Sequence, residues 1–276
     1  MKLITGSKTF LVGEYAVLFG GAAVVLINRP NFELDIRKGK TELLGISKST
    51  PAYRLYDKYY EKFSGLRLKF RDPHKIKGGL GSSSAQYVLL YKLLLKQFLV
   101  DDFLDEFRSL SEFKGVPPSG ADCLAQYFNH HIYYDSASRT VKCIDWKFPN
   151  LDFIVVRTMT KVFTHSHLKK LEHPNVQRLK FFVDCVKNSF ITCNEKMLIQ
   201  NVQDFFYELE NLGLVIPKTS AMVREILNLK YVRAAKGCGA LAADTILIIF
   251  ERGHRAEVLK SSLEVVYRFL RRKRSE

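Results

Sequence analysis

The run Lys77-Gly78-Gly79-Leu80-Gly81-Ser82-Ser83-Ser84-Ala85 constrains the fold more than any other stretch of the chain. Glycines here let the backbone turn tightly and approach a ligand closely. The serines stand where a long apolar segment begins, so the first N–H groups of a helix and the positive end of its dipole face outward. Such a place suits a multiply charged anion, above all a polyphosphate. A glycine turn followed by a serine N-cap is the purely structural alternative, and this run alone does not decide between them.

With 276 residues, 47% hydrophobic and 26% charged, the chain has the composition of an ordinary globular protein and the length for two modest domains. The start, Met-Lys-Leu-Ile-Thr-Gly, lacks a long apolar leader core, and a cytoplasmic address is expected. No window approaches the roughly eighteen apolar residues of a membrane span. The richest, Val88 to Leu99, is broken by Lys92, Lys96 and Gln97. Five scattered cysteines with no Cys-x-x-Cys pair argue against a disulfide framework and a zinc site. The formal charge of +15 is compatible with nucleic acid, anionic surfaces or polyanionic small substrates. The basic residues are dispersed except at the tail, Arg268 to Arg274, and no RNP-like aromatic signature accompanies them, which argues against nucleic acid.

Strand character is expected over Ala22–Leu26, Phe32–Ile36, Leu66–Phe70, Val141–Trp146, Leu151–Arg157 and Thr245–Phe250. Helical patterns run over Ser83–Leu99, Asp101–Phe113, Ser166–Leu171, Val176–Asn188, Ile199–Asn211, Pro217–Leu229 and from His254 onward. Strands and helices mixed without a regular βαβ rhythm predict an α+β architecture. The Phe148-Pro149-Asn150 turn is the expected boundary, giving domains 1–149 and 150–276.

Two further segments accompany the glycine run: Gly6 to Leu18, containing Lys8 and Gly13-Glu14-Tyr15-Ala16-Val17-Leu18, and Lys236-Gly237-Cys238-Gly239-Ala240-Leu241-Ala242-Ala243-Asp244. In this order and at these distances the three resemble the motifs of the GHMP kinases, the family of galactokinase, homoserine kinase, mevalonate kinase and phosphomevalonate kinase. The third departs from the usual glycine run, with Leu241 and alanines in place of glycines, which reduces how closely its backbone can approach a ligand. It also matches Gly-x-Gly-x-x-Ala, but a dinucleotide fingerprint needs a strand before and a helix after, whereas a strand is expected after it.

The resemblance implies a ribosomal protein S5 domain 2-like N-terminal half, a ferredoxin-like C-terminal half, and ATP held over the glycine run. Lys77, Gly78, Gly79, Leu80, Gly81, Ser82, Ser83 and Ser84, with Gly237 and Gly239, are then the nucleotide-binding candidates. Pro117-Pro118-Ser119-Gly120-Ala121-Asp122 looks like the Ser-Gly-x-Asp of mevalonate and phosphomevalonate kinases, so Asp122 is the candidate base and Lys8 the cation beside it. Phosphoryl transfer to an alcohol needs such a pair, because its catalysis is mostly positioning and electrostatics. For Mg²⁺ the resemblance implies a motif-two hydroxyl, Ser82 or Ser83, and an upstream glutamate, for which Glu112 is the candidate. Glu14, Lys161 and His165 are candidate substrate contacts. The implied activity is ATP-dependent phosphorylation of a small acidic alcohol, with mevalonate favoured and 5-phosphomevalonate behind it. The implied state is a monomer or homodimer with no membrane partner. Two other readings stay open: a member that binds nucleotide without turnover, and a nucleic-acid-binding module using the S5-like half.

Overall fold

The computed structural model describes residues 1–75, 79–94, 97–113, 115–159 and 176–272. It divides into two compact units, one of Met1–Thr9 with Val25–Cys143, the other of Phe10–Val24 with Ile144–Glu276. The architecture is mixed α+β, with two sheets and eight α-helices among the described residues.

The chain opens with β1 (Lys2–Val12), followed by β2 (Ala22–Lys38), β3 (Glu42–Leu44), α1 (Pro51–Lys58) and β4 (Leu66–Arg71). Then come α2 (Ser82–Leu94), α3 (Val100–Leu110), α4 (Ala121–Phe128) and the hairpin β5 (Ile132–Asp135) and β6 (Thr140–Cys143). The larger sheet has the order β3-β4-β2-β5-β6, with β1 paired to β2. The two strands expected around Ala22 and Phe32 are one long strand, β2. Its far half pairs antiparallel with β4 in the register Leu34↔Phe70 and Ile36↔Leu68, which puts four apolar side chains on one face.

Helix α2 is buried from Ser84 to Tyr91 except at Gln86, as its nearly all-round apolar sequence requires, and packs against α1 and α4. Thr50 caps α1 by accepting the Tyr53 N–H, with Pro51 at the first helical position. Helix α3 stops at Leu110, short of the expected Phe113, and Ser111 Oγ closes its last turn on the Phe107 carbonyl.

The second sheet has the order β7-β9-β8, from β7 (Leu151–Arg157), β8 (Val232–Cys238) and β9 (Thr245–Glu251). Central β9 is buried on both faces, which accounts for its unbroken Ile-Leu-Ile-Ile-Phe run. Helices α5 (Gln177–Thr192), α6 (Glu195–Asn211), α7 (Pro217–Leu227) and α8 (Arg255–Arg272) complete this unit. Its core joins Ile154, Val156, Phe206, Met222, Ile246, Ile248 and Phe250 to Val258, Val265 and Val266 of α8. The helix expected over Ser166–Leu171 lies outside the described residues. A strand not foreseen, β8, runs into the third motif and includes Lys236 to Cys238; a 3₁₀ turn over Ala240–Ala242 lies within the motif and β9 follows it, so no α-helix opens at the glycines.

Candidate active site

Strand β1 carries Lys8 to the site, and α4 carries Asp122 in its first turn, where a carboxylate is favoured by the helix dipole. Hydrogen bonds tie the strand to the helix. Thr5 Oγ1 donates to the Gln126 carbonyl at 2.6 Å, Gly6 N–H donates to Asn129 Oδ1 at 2.7 Å, and Gln126 Nε2 donates to the Gly6 carbonyl at 3.0 Å. The Lys8 ammonium stands 3.6 Å from Asp122 Oδ2, with the two side chains 17% and 26% exposed. The pair is accessible from solvent yet held by its surroundings.

The glycine turn is fastened to the same place. Lys8 N–H donates to the Leu80 carbonyl at 3.0 Å, and the Gly81 carbonyl accepts Ala85 N–H at 2.9 Å and Gln126 Nε2 at 3.1 Å. Gly81 has φ +88°, and a Cβ there would lie 2.6 Å from Lys8 Cγ, so the lysine stem runs along the space a side chain would fill. Ala85 N–H makes the first bond of α2, and the N–H groups before it have no carbonyl to reach within the helix.

The serines differ in what they do. Ser84 is buried, and its hydroxyl donates back to the Gly81 carbonyl at 3.1 Å. Ser83 is exposed. Ser82 Oγ donates to Asp72 Oδ2 at 2.8 Å, a carboxylate that the sequence did not single out. Lys77 and Gly78 lie outside the described residues, as do Lys161 and His165.

Glu112 does not join this cluster. It is 83% exposed and pairs with Arg54 of α1, so its carboxylate is held at the surface by a guanidinium. Glu14 is likewise engaged elsewhere, in a buried ion pair: Lys236 Nζ lies 2.6 Å from Glu14 Oε1. Burial works against the Lys236 ammonium, but the Cys238 sulfur and the Glu14 carboxylate outweigh it and hold its pKa above the ordinary lysine value.

The two glycines of the third motif pack against their own neighbours. A Cβ on Gly237 would meet the Ala242 carbonyl at 2.5 Å, and one on Gly239, at φ +91°, would meet Asp244 Oδ2 at 2.4 Å. Leu241 and Ala242 hold left-handed backbone at φ 51° and 53°, although neither is glycine. The Leu241 N–H donates to Tyr15 Oη and the Ala242 N–H to the Gly239 carbonyl, so the turn's amides bind within their own unit.

Among the described residues no group of three or more His, Cys, Asp or Glu could hold a metal ion. The Ser82 and Ser83 hydroxyls are hard oxygen donors. They fit Mg²⁺, which keeps several waters and takes one or two protein oxygens beside phosphate. Burial, reinforced by the Asp122 charge, pushes the neighbouring Cys123 thiol well up, which removes it as a nucleophile. No helix among the described residues is long and apolar enough to cross a membrane.

No protein-family profile and no curated protein matches the chain by sequence. Solved structures do match by shape. Streptococcus pneumoniae phosphomevalonate kinase, in complex with phosphomevalonate and AMPPNP, is similar with a TM-score of 0.77 at 16% identity, over 96% of this chain and 97% of that one. Methanococcus jannaschii mevalonate kinase matches with a TM-score of 0.73 at 18% identity, over 96% and 95% of the two chains. Lactococcus lactis galactokinase, complexed with galactose, matches with a TM-score of 0.73 at 10% identity, over 98% and 90%. The chain therefore has the α+β fold of the GHMP kinases.

Proposed function

We propose that the protein is an ATP-dependent kinase that transfers a γ-phosphoryl group to the hydroxyl of a small acidic substrate, most simply mevalonate. The single observation that carries this reading is the Lys8–Asp122 pair, 3.6 Å apart and anchored to the same glycine turn. In this reading residues 1–149 form the nucleotide-binding domain and residues 150–276 a second domain.

Asp122 accepts the proton of the substrate hydroxyl as its oxygen bonds to the γ-phosphorus, while the bond from that phosphorus to the β,γ-bridging oxygen breaks and ADP leaves with the electron pair. Lys8, within ion-pair reach of that carboxylate, stabilises negative charge on the attacking oxygen. The first N–H groups of α2, with the helix dipole behind them, hold the phosphates and offset the charge that spreads over their oxygens in the transition state. Ser82 or Ser83 would hold Mg²⁺, which when bound neutralises phosphate charge. The reading needs no metal ligand from Glu112 and no direct substrate contact from Glu14, whose partners are Arg54 and Lys236.

5-Phosphomevalonate is the alternative acceptor, supported by the similarity to a kinase solved with phosphomevalonate and by the +15 charge. A second reading, nucleotide binding without turnover, draws on the third-motif turn, whose amides bond within their own unit. A coupled ADP-release assay with Mg²⁺ against mevalonate, 5-phosphomevalonate, homoserine and several sugars tests the proposal. Turnover with one acceptor that Asp122→Asn abolishes supports it. Nucleotide binding with no turnover on any acceptor selects the second reading.

A further inference from the structure

Asp72 lies just past β4, and both of its carboxylate oxygens are occupied. Oδ1 accepts the His74 N–H at 2.7 Å, and Oδ2 accepts the Ser82 hydroxyl proton at 2.8 Å. His74 is itself fixed. Its Nε2 lies 2.6 Å from Ser7 Oγ, whose own proton goes to the Pro30 carbonyl at 2.8 Å, so the ring donates to the serine. Its ring also meets Phe32 edge-on at 5.4 Å between centroids. The carboxylate is thus held from β1 and β2 before it touches α2.

A serine hydroxyl has one proton and two lone pairs. When the proton is committed to a carboxylate, the lone pairs are directed away from it and the oxygen becomes a better donor to a cation. Of the three motif-two serines, Ser84 is buried and bonded back to Gly81, and Ser83 is exposed. Ser82 alone has its proton taken by an anion.

We propose that Asp72 is a positioning residue that orients Ser82 Oγ to ligate the divalent cation of a bound nucleotide. This rests on the kinase reading and extends it, because it selects Ser82 over Ser83 and supplies a supporting carboxylate that Glu112 does not. Asp72 acts through the serine. It touches neither phosphate nor metal.

The test is the metal-linked gain in nucleotide affinity. ADP binding is measured by calorimetry in EDTA and again in Mg²⁺, for the wild type, Asp72→Ala, Asp72→Asn and Ser82→Ala. Mn²⁺ resonance spectra with ADP serve as a second readout. Asp72→Ala is expected to lose about 10- to 100-fold of the metal-linked gain, the usual cost of removing an outer-shell partner, and Ser82→Ala, which removes the ligand itself, at least as much. The ADP affinity of Asp72→Ala in EDTA stays at the wild-type level, and Asp72→Asn, whose amide oxygen still accepts the serine proton, recovers part of the gain. A merely structural Asp72 would lower both affinities together. Wild-type gain in a folded Asp72→Ala overturns the proposal, as does a greater loss in Ser83→Ala than in Ser82→Ala. If Asp72→Ala does not fold, Asp72→Asn and the two serine variants decide on the same criteria. A wild type that binds ADP in neither condition overturns the kinase reading itself.

Discussion

Lys236 and Glu14 form an ion pair of 2.6 Å in which the lysine is fully buried and the glutamate is 10% exposed. The ammonium also donates to the Phe10 carbonyl at 3.3 Å and lies 5.6 Å from the centre of the Phe205 ring. This pair links motif one to motif three within one unit.

Breaking it on one side leaves a buried charge uncompensated. Lys236→Met and Glu14→Leu are each expected to destabilise the fold by about 3–5 kcal/mol. The double replacement is expected to cost less than either single one, because no lone charge remains. Urea denaturation of the variants measures this, and a double variant worse than both singles overturns it. The pH dependence follows from the direction of the shift. The folded pKa lies above the unfolded value near ~10.4, so the ammonium's contribution is fully present below that value. It is lost as pH rises through the higher folded value, so the lysine leaves stability flat across neutral pH.

Asp122→Asn keeps the size of the side chain but removes the proton acceptor. Turnover is expected to fall by about 10²- to 10⁴-fold. Lys8→Met is expected to cost about 10²- to 10³-fold, the scale for removing one charge-stabilising donor. ADP affinity should survive Asp122→Asn, since the carboxylate pairs with Lys8 and its assigned role is to take the acceptor's proton, not to hold phosphate. Steady-state kinetics paired with calorimetry separates the two effects. An Asp122→Asn enzyme with wild-type kcat removes the assigned role.

At Gly81 two penalties coincide, a left-handed φ of +88° and a Cβ position 2.6 Å from Lys8 Cγ. Gly81→Ala is expected to destabilise by about 1–3 kcal/mol from backbone strain alone. It should also push Lys8 off its line to Asp122, so kcat falls in the fraction that stays folded. Melting curves and kcat at a temperature well below the melting point distinguish the two. Normal kcat in a destabilised Gly81→Ala shows that Lys8 placement does not depend on the turn.

The glycine run was legible because close backbone approach demands glycine, whereas the Lys8–Asp122 pair was legible only through the family resemblance of the motifs that carry it. Much of β1 was not, since Thr5, Ser7 and Thr9 are buried, and polar residues on a core face hide the alternation that marks a strand. Thr5 and Ser7 tolerate burial because their hydroxyls donate to the Gln126 and Pro30 carbonyls. Strand β8 was hidden for a related reason: Val-Arg-Ala-Ala-Lys-Gly-Cys is poor in β-branched residues, and its lysine is buried only because Glu14 meets it. Asp72 escaped notice because a lone Asp-Pro reads as a turn, and its link to Ser82 exists only once β4 and α2 are in place.

The family resemblance pointed to Glu112 as a metal ligand, whereas in the fold its carboxylate pairs with Arg54. That carboxylate is 83% exposed, and the Arg54 guanidinium also donates to the Leu110 carbonyl at 2.6 Å. Arg54 is therefore anchored without Glu112, and an exposed partner adds little to it. Glu112→Gln is expected to change stability by no more than about 0.5 kcal/mol. The Mg²⁺ concentration for half-maximal activity should stay at the wild-type value, whereas loss of a direct carboxylate ligand would raise it at least tenfold, on the scale of ~1.4 kcal/mol per tenfold. A Mg²⁺ titration of activity in Glu112→Gln measures this. A tenfold or greater rise returns Glu112 to the metal site.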